Sequence, residues 1–235
     1  MKAPLSFEAI IFDHDGTLVD TESADFRACE ALFEEYGQTL ALEYWADVVV
    51  GHYAGYDIIF DELIAAAHQK KLTREILRRR LRALWQVNLA NVALMPHAER
   101  VIHTLYQAGY PLGVATASDQ KWVERWMGQF ELLPYFSAIA TKDQVTNNKP
   151  APDVYLLAAE KLGVSPGRCL VFEDTLAGVR AAKGAGMTVM AVPSPLTKSL
   201  NFSQADGIIN NLGGVTPEWV GMLPQNLTPG GKNVV

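Results

Sequence analysis

Short apolar runs that end in a polar residue recur along the chain. Glu8–Ala–Ile–Ile–Phe–Asp13 is the first, and Pro111–Leu–Gly–Val–Ala–Thr116, Phe136–Ala–Ile–Ala–Thr141, Cys169–Leu–Val–Phe–Glu173 and Met187–Thr–Val–Met–Ala–Val192 repeat its grammar. Ala205–Asp–Gly–Ile–Ile–Asn210 is a weaker sixth. Apolar on both faces and too short for buried helices, these runs predict strands of a covered parallel sheet. Helical spacing separates them. His97 to Ala108 carries Val101 and Leu105 on one face and stops at Gly109. Asp119 is placed to cap a helix through Trp122, Val123 and Trp126, and Pro152 to open Asp153–Leu162, which stops at Gly163. Thr175 to Lys183 is closed by Gly184–Ala–Gly186. Alternation of this kind predicts an α/β fold, a parallel sheet flanked by helices with right-handed crossovers.

About ninety residues separate the first strand from the second, far more than a connection needs. They read as helix. Asp20 caps a segment with Phe26, Cys29, Phe33 and Tyr36 in register, ending at Gly37; Asp57 to Ala67 and Thr73 to Val92 continue the pattern. Residues 1–19 and 94–222 are thus expected to form the α/β core, and residues 20–93 an inserted α-helical subdomain hinged onto it. The tail 223–235, rich in Pro, Gly and Asn, is expected to fray.

Of the 235 residues, 49% are apolar and 20% charged, which is globular composition. The formal charge of −6 gives no electrostatic reason to expect nucleic acid or an anionic membrane as partner. No apolar run is long enough to span a bilayer, and Met1 to Asp15 does not read as a signal peptide. Two cysteines, Cys29 and Cys169, read as buried thiols of a reducing compartment, so a cytoplasmic protein is expected and the glycosylation patterns at Asn201 and Asn226 carry no weight. Oligomeric state is not readable.

Chemistry gathers where the runs end. The first ends in Asp13–His–Asp15–Gly–Thr17, the second in Thr116–Ala–Ser118, the fourth in Glu173–Asp174, and Lys149–Pro150 precedes the Pro152 helix. In a parallel sheet all of these converge on the carboxyl edge, where open α/β folds bind ligands. Four acids, a hydroxyl and one lysine crowded there call for a cation and an anion to balance them. Mg²⁺ plus a phosphoryl group supplies that balance.

Asp-x-Asp-Gly-Thr, a strand-end Thr, Lys-Pro and a strand-end Glu-Asp, in this order, resemble the haloacid dehalogenase superfamily, and within it the branch of β-phosphoglucomutase and phosphoglycolate phosphatase. The resemblance implies a Rossmann-like core with a helical cap inserted between the first and second motifs. It implies Asp13 as the nucleophile that forms an aspartyl-phosphate, and Asp15 as general acid and then general base. It further implies Mg²⁺ held by Asp13, Asp174, the backbone carbonyl of Asp15, and Glu173 directly or through water. Thr116 and Lys149 would hold the phosphoryl oxygens, with Gly16, Thr17, Ala117 and Ser118 lining the substrate phosphate. The activity implied is Mg²⁺-dependent hydrolysis of a small phosphorylated metabolite.

Rival readings divide on particular residues. Dehalogenases and phosphonate hydrolases lack the second acid, which is present here as Asp15. A phosphomutase must grip a second phosphate with a cap His, a cap Arg and a Ser-Lys-Asn. Here Asp25 stands near the His position, Gly51–His–Tyr–Ala54 lacks the Arg, and Ser118 is followed by Asp119 and Gln120. A non-catalytic binder would be expected to have lost a nucleophile or a metal ligand, and none is missing. His14 is expected to turn away from both neighbouring acids, into packing or a supporting place behind the site, and His52, His68, His97 and His103 show no metal-ligand spacing. Arg78, Arg79, Arg80 and Arg82 read as a solvated helix face, and Trp122 and Trp126 as core anchors. The loop from Glu43 to Asp57, with Trp45, His52, Tyr53 and Tyr56, is expected to shape a pocket for a sugar or polyol phosphate.

Overall fold

The computed structural model describes residues 7–51, 54–67 and 71–224. His52, Tyr53, His68, Asn226 and the tail from residue 225 lie outside the described residues. The chain divides into two compact units: residues 1–19, 94–194 and 201–235 form one, and residues 20–93 with Pro195–Leu200 the other.

The first unit is built on strands β1 (Ala9–Phe12), β2 (Leu112–Ala115), β3 (Ala138–Ala140), β4 (Cys169–Glu173), β5 (Thr188–Ala191) and β6 (Gly207–Ile208). They pair in the order β3-β2-β1-β4-β5-β6, every pairing parallel. All six predicted runs are therefore strands, each trimmed by a residue or two at either end except Cys169–Glu173. The chain steps from β1 to β2 and β3, then crosses back to β4 on the other side of β1. That reversal opens a crevice at the carboxyl ends of β1 and β4, the place where such sheets bind ligands. Register places Phe12 against Phe172, so Asp13 and Glu173 leave the sheet side by side. The two phenyl rings stack at 5.3 Å beneath them.

The second unit is helical: α1 (Glu22–Glu35), α2 (Leu42–Val48), α3 (Gly55–Ala66) and α4 (Arg74–Asn88). Asp20 Oδ1 accepts the Ser23 N–H at 3.2 Å, and Thr73 Oγ1 caps α4 through the Ile76 N–H. Cys29, Leu32, Trp45, Phe60 and Leu77 share its core, which Leu196 joins. Helix α2 replaces part of the loop expected between Glu43 and Asp57. Trp45, expected to wall a pocket, is fully buried on α2 with its ring edge-on to Phe26 at 5.2 Å, so it is packing. The arginine run is the solvated face anticipated for it: Arg78 pairs with Asp57 and Arg80 with Glu35, all at the surface.

Helices α5 (Ala98–Gln107), α6 (Gln120–Gln129), α7 (Asp153–Leu162), α8 (Leu176–Gly184) and α9 (Pro217–Met222) belong to the sheet unit. Asp119 caps α6 with its side chain, as expected, and Thr175, read only as the start of a helix, caps α8 in the same way. Helix α9, hidden from periodicity by its six residues, is capped by Thr216, and Leu223 beyond it is buried. Among the described residues no helix is long and apolar enough to cross a membrane.

Candidate active site

Past Phe12 the backbone tightens into a turn in which Leu18 and Val19 both donate to His14 O at 3.0 Å. The turn needs a left-handed residue, and Gly16 supplies it at φ +79°. A Cβ at Gly16 would stand 2.1 Å from Asp174 Oδ2, so glycine also makes room for that carboxylate. Thr17, read as a substrate ligand, donates its hydroxyl to Asp174 Oδ1 at 3.2 Å and so helps fix the same group.

Lys149 is brought in by the loop before α7. Its Nζ lies 2.5 Å from Asp13 Oδ1, 2.7 Å from Glu173 Oε1, 2.9 Å from Ala115 O and 3.2 Å from the Tyr155 hydroxyl. Burial works against its charge, but Asp13 and Glu173 outweigh that and hold the ammonium well above its usual range. Glu173 is fully buried and satisfied on both oxygens. Oε1 accepts from Lys149 and from Tyr155 at 3.0 Å, and Oε2 from the Thr175 amide at 2.8 Å and hydroxyl at 3.0 Å. Gly178 on α8 leaves the space it occupies: a Cβ there would fall 1.5 Å from Glu173 Oε1.

Asp15 carries a third set of contacts. Ser118 Oγ donates to its Oδ2 at 2.6 Å, with Thr116 Oγ1 at 3.4 Å, and Trp122 Nε1–H donates to Oδ1 at 2.7 Å. Trp122 is thus a half-buried polar partner of the turn, whereas Trp126 is the buried core anchor expected of both. Helical spacing shows which face a tryptophan lies on; it does not show where the indole N–H ends. His14 also departs from expectation. The strand's two-residue alternation stops with β1 at Phe12, and the buried ring sits with Nδ1 3.2 Å from Asp15 Oδ1 instead of turning away from it. Ala117 O accepts a long bond from Asn148 Nδ2 at 3.4 Å, and Asp119, where a mutase carries lysine, spends its carboxylate on capping α6 through the Trp122 amide at 3.0 Å.

The Asp13 carboxyl is raised to about 7: burial pushes it up most, Lys149 pulls it down, and Glu173 and Asp15 add to the rise. Asp13, Glu173 and Asp174 each offer an oxygen within 4.8 Å of the others, all buried. Three carboxylates around one ammonium leave an excess of negative charge, and an all-oxygen donor set suits a hard divalent cation. The group fits such a metal. Tyr155, Thr175, Gly178 and Trp122 were not legible as site residues. The first two fell within segments read only as helices, and a glycine inside a helix has no chemistry of its own to notice.

A buried carboxylate paired with a buried lysine at the switch point of a parallel sheet is the arrangement in which open α/β folds bind their ligands. Residues 10–192 match the family described as haloacid dehalogenase-like hydrolase, and the chain belongs to that family. It is 38% identical to the Bacillus subtilis protein named "Putative phosphatase YhcW" over 85% of this chain and 89% of that one. It is 31% identical to fructose-1-phosphate phosphatase YqaB of Escherichia coli, over 79% of this chain and 96% of the relative. A crystal structure titled "putative beta-phosphoglucomutase" from Thermotoga maritima superposes with a TM-score of 0.69 at 29% identity, covering 91% of this chain and 96% of that one.

Proposed function

We propose that the chain is a Mg²⁺-dependent phosphatase acting on a small phosphorylated metabolite, a sugar or polyol phosphate, through an aspartyl-phosphate on Asp13. The observation that carries the reading is the pairing of buried Asp13 with Lys149 at 2.5 Å beside the Glu173–Asp174 carboxylates. The sugar-phosphate class draws its support from the substrate named for YqaB.

In this reading Asp13 attacks phosphorus while Lys149 neutralises charge on the transferring oxygens, and Glu173, Tyr155 and Ala115 O keep the ammonium aimed. Asp15 gives a proton to the departing alcohol and then takes one from the hydrolytic water. Thr116, Ser118, the Ala117 backbone and the Gly16–Thr17 turn line the phosphate. Mg²⁺, held by Asp13, Asp174 and the Asp15 carbonyl, would supply Lewis-acid neutralisation of the phosphoryl charge. Glu173, whose oxygens already accept four bonds, fits contact through water better than direct ligation.

The rival is a phosphomutase, favoured by the Thermotoga neighbour. Against it stands the stretch Ser118–Asp119–Gln120, which offers no cation for a second phosphate. Two assays decide. Phosphate release from p-nitrophenyl phosphate should depend on Mg²⁺ and stop with EDTA; turnover unaffected by EDTA would overturn the metal. β-Glucose 1-phosphate with a bisphosphate primer should yield inorganic phosphate or nothing, and rapid glucose 6-phosphate formation would establish the mutase instead.

A further inference from the structure

Trp122 does more than pack. We propose that its indole N–H is a positioning device for Asp15, holding Oδ1 as a permanent acceptor so that only Oδ2 exchanges the catalytic proton; this rests on the acid–base role proposed above for Asp15. The argument is one of donor inventory. An indole nitrogen can only donate, and a carboxyl oxygen that carries the proton is a much weaker acceptor, so protonating Oδ1, which also has His14 Nδ1 at 3.2 Å, would weaken the 2.7 Å bond from Trp122. Oδ2 faces hydroxyls instead, Ser118 Oγ at 2.6 Å and Thr116 Oγ1 at 3.4 Å. A hydroxyl can turn from donor to acceptor, so Oδ2 can carry a proton with no bond lost.

The indole is itself fixed. Its ring meets Trp126 edge-on at 5.5 Å and 82°, and Trp126 is buried. The Arg125 guanidinium lies 4.6 Å from the Trp126 ring and 5.9 Å from the Trp122 ring. Asp119 ties the Trp122 amide to the start of α6, one residue after the Ser118 that grips Oδ2. Both oxygens of Asp15 therefore accept a hydrogen bond from one loop-to-helix junction, through a four-residue step from Ser118 to Trp122.

The chemistry balances as follows. An Asp13 oxygen bonds to phosphorus as the ester P–O bond breaks, and the Asp15 Oδ2 proton goes to the leaving oxygen. Water then bonds to phosphorus as the Asp13 P–O bond breaks, and its proton returns to Asp15 Oδ2. The parameter kcat/KM reports the chain of steps through departure of the alcohol, and kcat also contains the water step. An alkyl leaving group needs the proton, whereas p-nitrophenolate leaves without it.

The test compares glycerol 2-phosphate with p-nitrophenyl phosphate on Trp122→Phe, which keeps a ring and deletes the N–H. Loss of a well-placed acid should cost roughly tenfold or more in kcat/KM for the alkyl ester and less than twofold for the aryl ester, with kcat falling for both. A benzothienylalanine at position 122, which has the indole's shape without its N–H, should reproduce the pattern if Phe disturbs the fold. Equal losses on the two substrates, or none, in the benzothienyl protein would overturn the proposal. Asp15→Asn calibrates the experiment, since it should show the same discrimination more strongly. If it discriminates and the position-122 variants do not, the positioning role alone fails. If Asp15→Asn shows no discrimination, the acid–base reading fails with it.

Discussion

Gly178→Ala should destabilise the protein, although the same change in an ordinary helix stabilises it. Gly178 lies inside α8, where alanine normally gains up to about 1 kcal/mol over glycine. Here the added methyl would stand 1.5 Å from Glu173 Oε1 and 1.9 Å from its Cδ. A carboxylate at the end of a flexible side chain usually steps aside at little cost. Glu173 cannot, because it is fully buried and accepts from Lys149, Tyr155 and both donors of Thr175. Hydrogen bonds to a charged group contribute roughly 1.5–3 kcal/mol each, so losing even two outweighs the helix gain. The expected net loss is about 2–4 kcal/mol, a fall in Tm of roughly 5–15 °C for a chain of this size. Lys149 loses an anchor as well, so kcat/KM on p-nitrophenyl phosphate should drop at least about tenfold. Gly128→Ala in α6 is the control, because its Cβ would meet only Leu133 Cδ1 at 3.9 Å and the helix gain should appear undiminished. Urea titration and calorimetry of both variants decide the matter. A Gly178→Ala protein as stable and active as the parent would refute the claim that Glu173 is locked in place and holds the lysine.

Asp13→Asn should abolish turnover with circular dichroism unchanged, because an amide is nearly isosteric but cannot attack phosphorus; residual wild-type activity would sink the nucleophile assignment. Asp174→Ala should lose rate and Mg²⁺ response together, and an unchanged Mg²⁺ titration would mean the metal is held elsewhere. Asp25 makes a pH prediction. Burial pushes its carboxyl up to about 6 although the Tyr56 hydroxyl donates to it, so the native state holds the proton more tightly than the unfolded chain does. Stability therefore falls as pH rises from about 4 to about 6 and stays lower above, by up to about 3 kcal/mol. Asp25→Asn, which keeps an acceptor for Tyr56, should flatten that stretch of the stability profile and raise the melting temperature at pH 8; an unaltered profile would show that Asp25 does not titrate as described.

Much of the architecture was written in local pattern. Six apolar runs too short to be helices, spaced by amphipathic stretches, determine a parallel α/β sheet whatever its strand order, because no other fold covers both faces of every strand. The cap at Asp119 was equally legible, since the capping bond reaches only three residues along the chain. The acids at the strand ends were legible too, because parallel strands bring their carboxyl ends to one edge. What sequence could not decide is which atoms meet there. That β4 returns beside β1, so that Asp13 and Glu173 become neighbours 160 residues apart, is a property of the crossover. Once it is made, side chains with no local signal take their roles. Tyr155 hydrogen-bonds Glu173; Gly178 is needed to avoid a collision that does not exist until α8 docks; Trp122 turns its one polar atom to Asp15. His14 and Trp45 moved the other way, the first drawn against an acid where the strand period ends and the second buried in the helical unit. Periodicity reports which face of an element is apolar. The partner of a single N–H or carboxylate oxygen is chosen only when distant elements close around it, and that choice belongs to the tertiary structure.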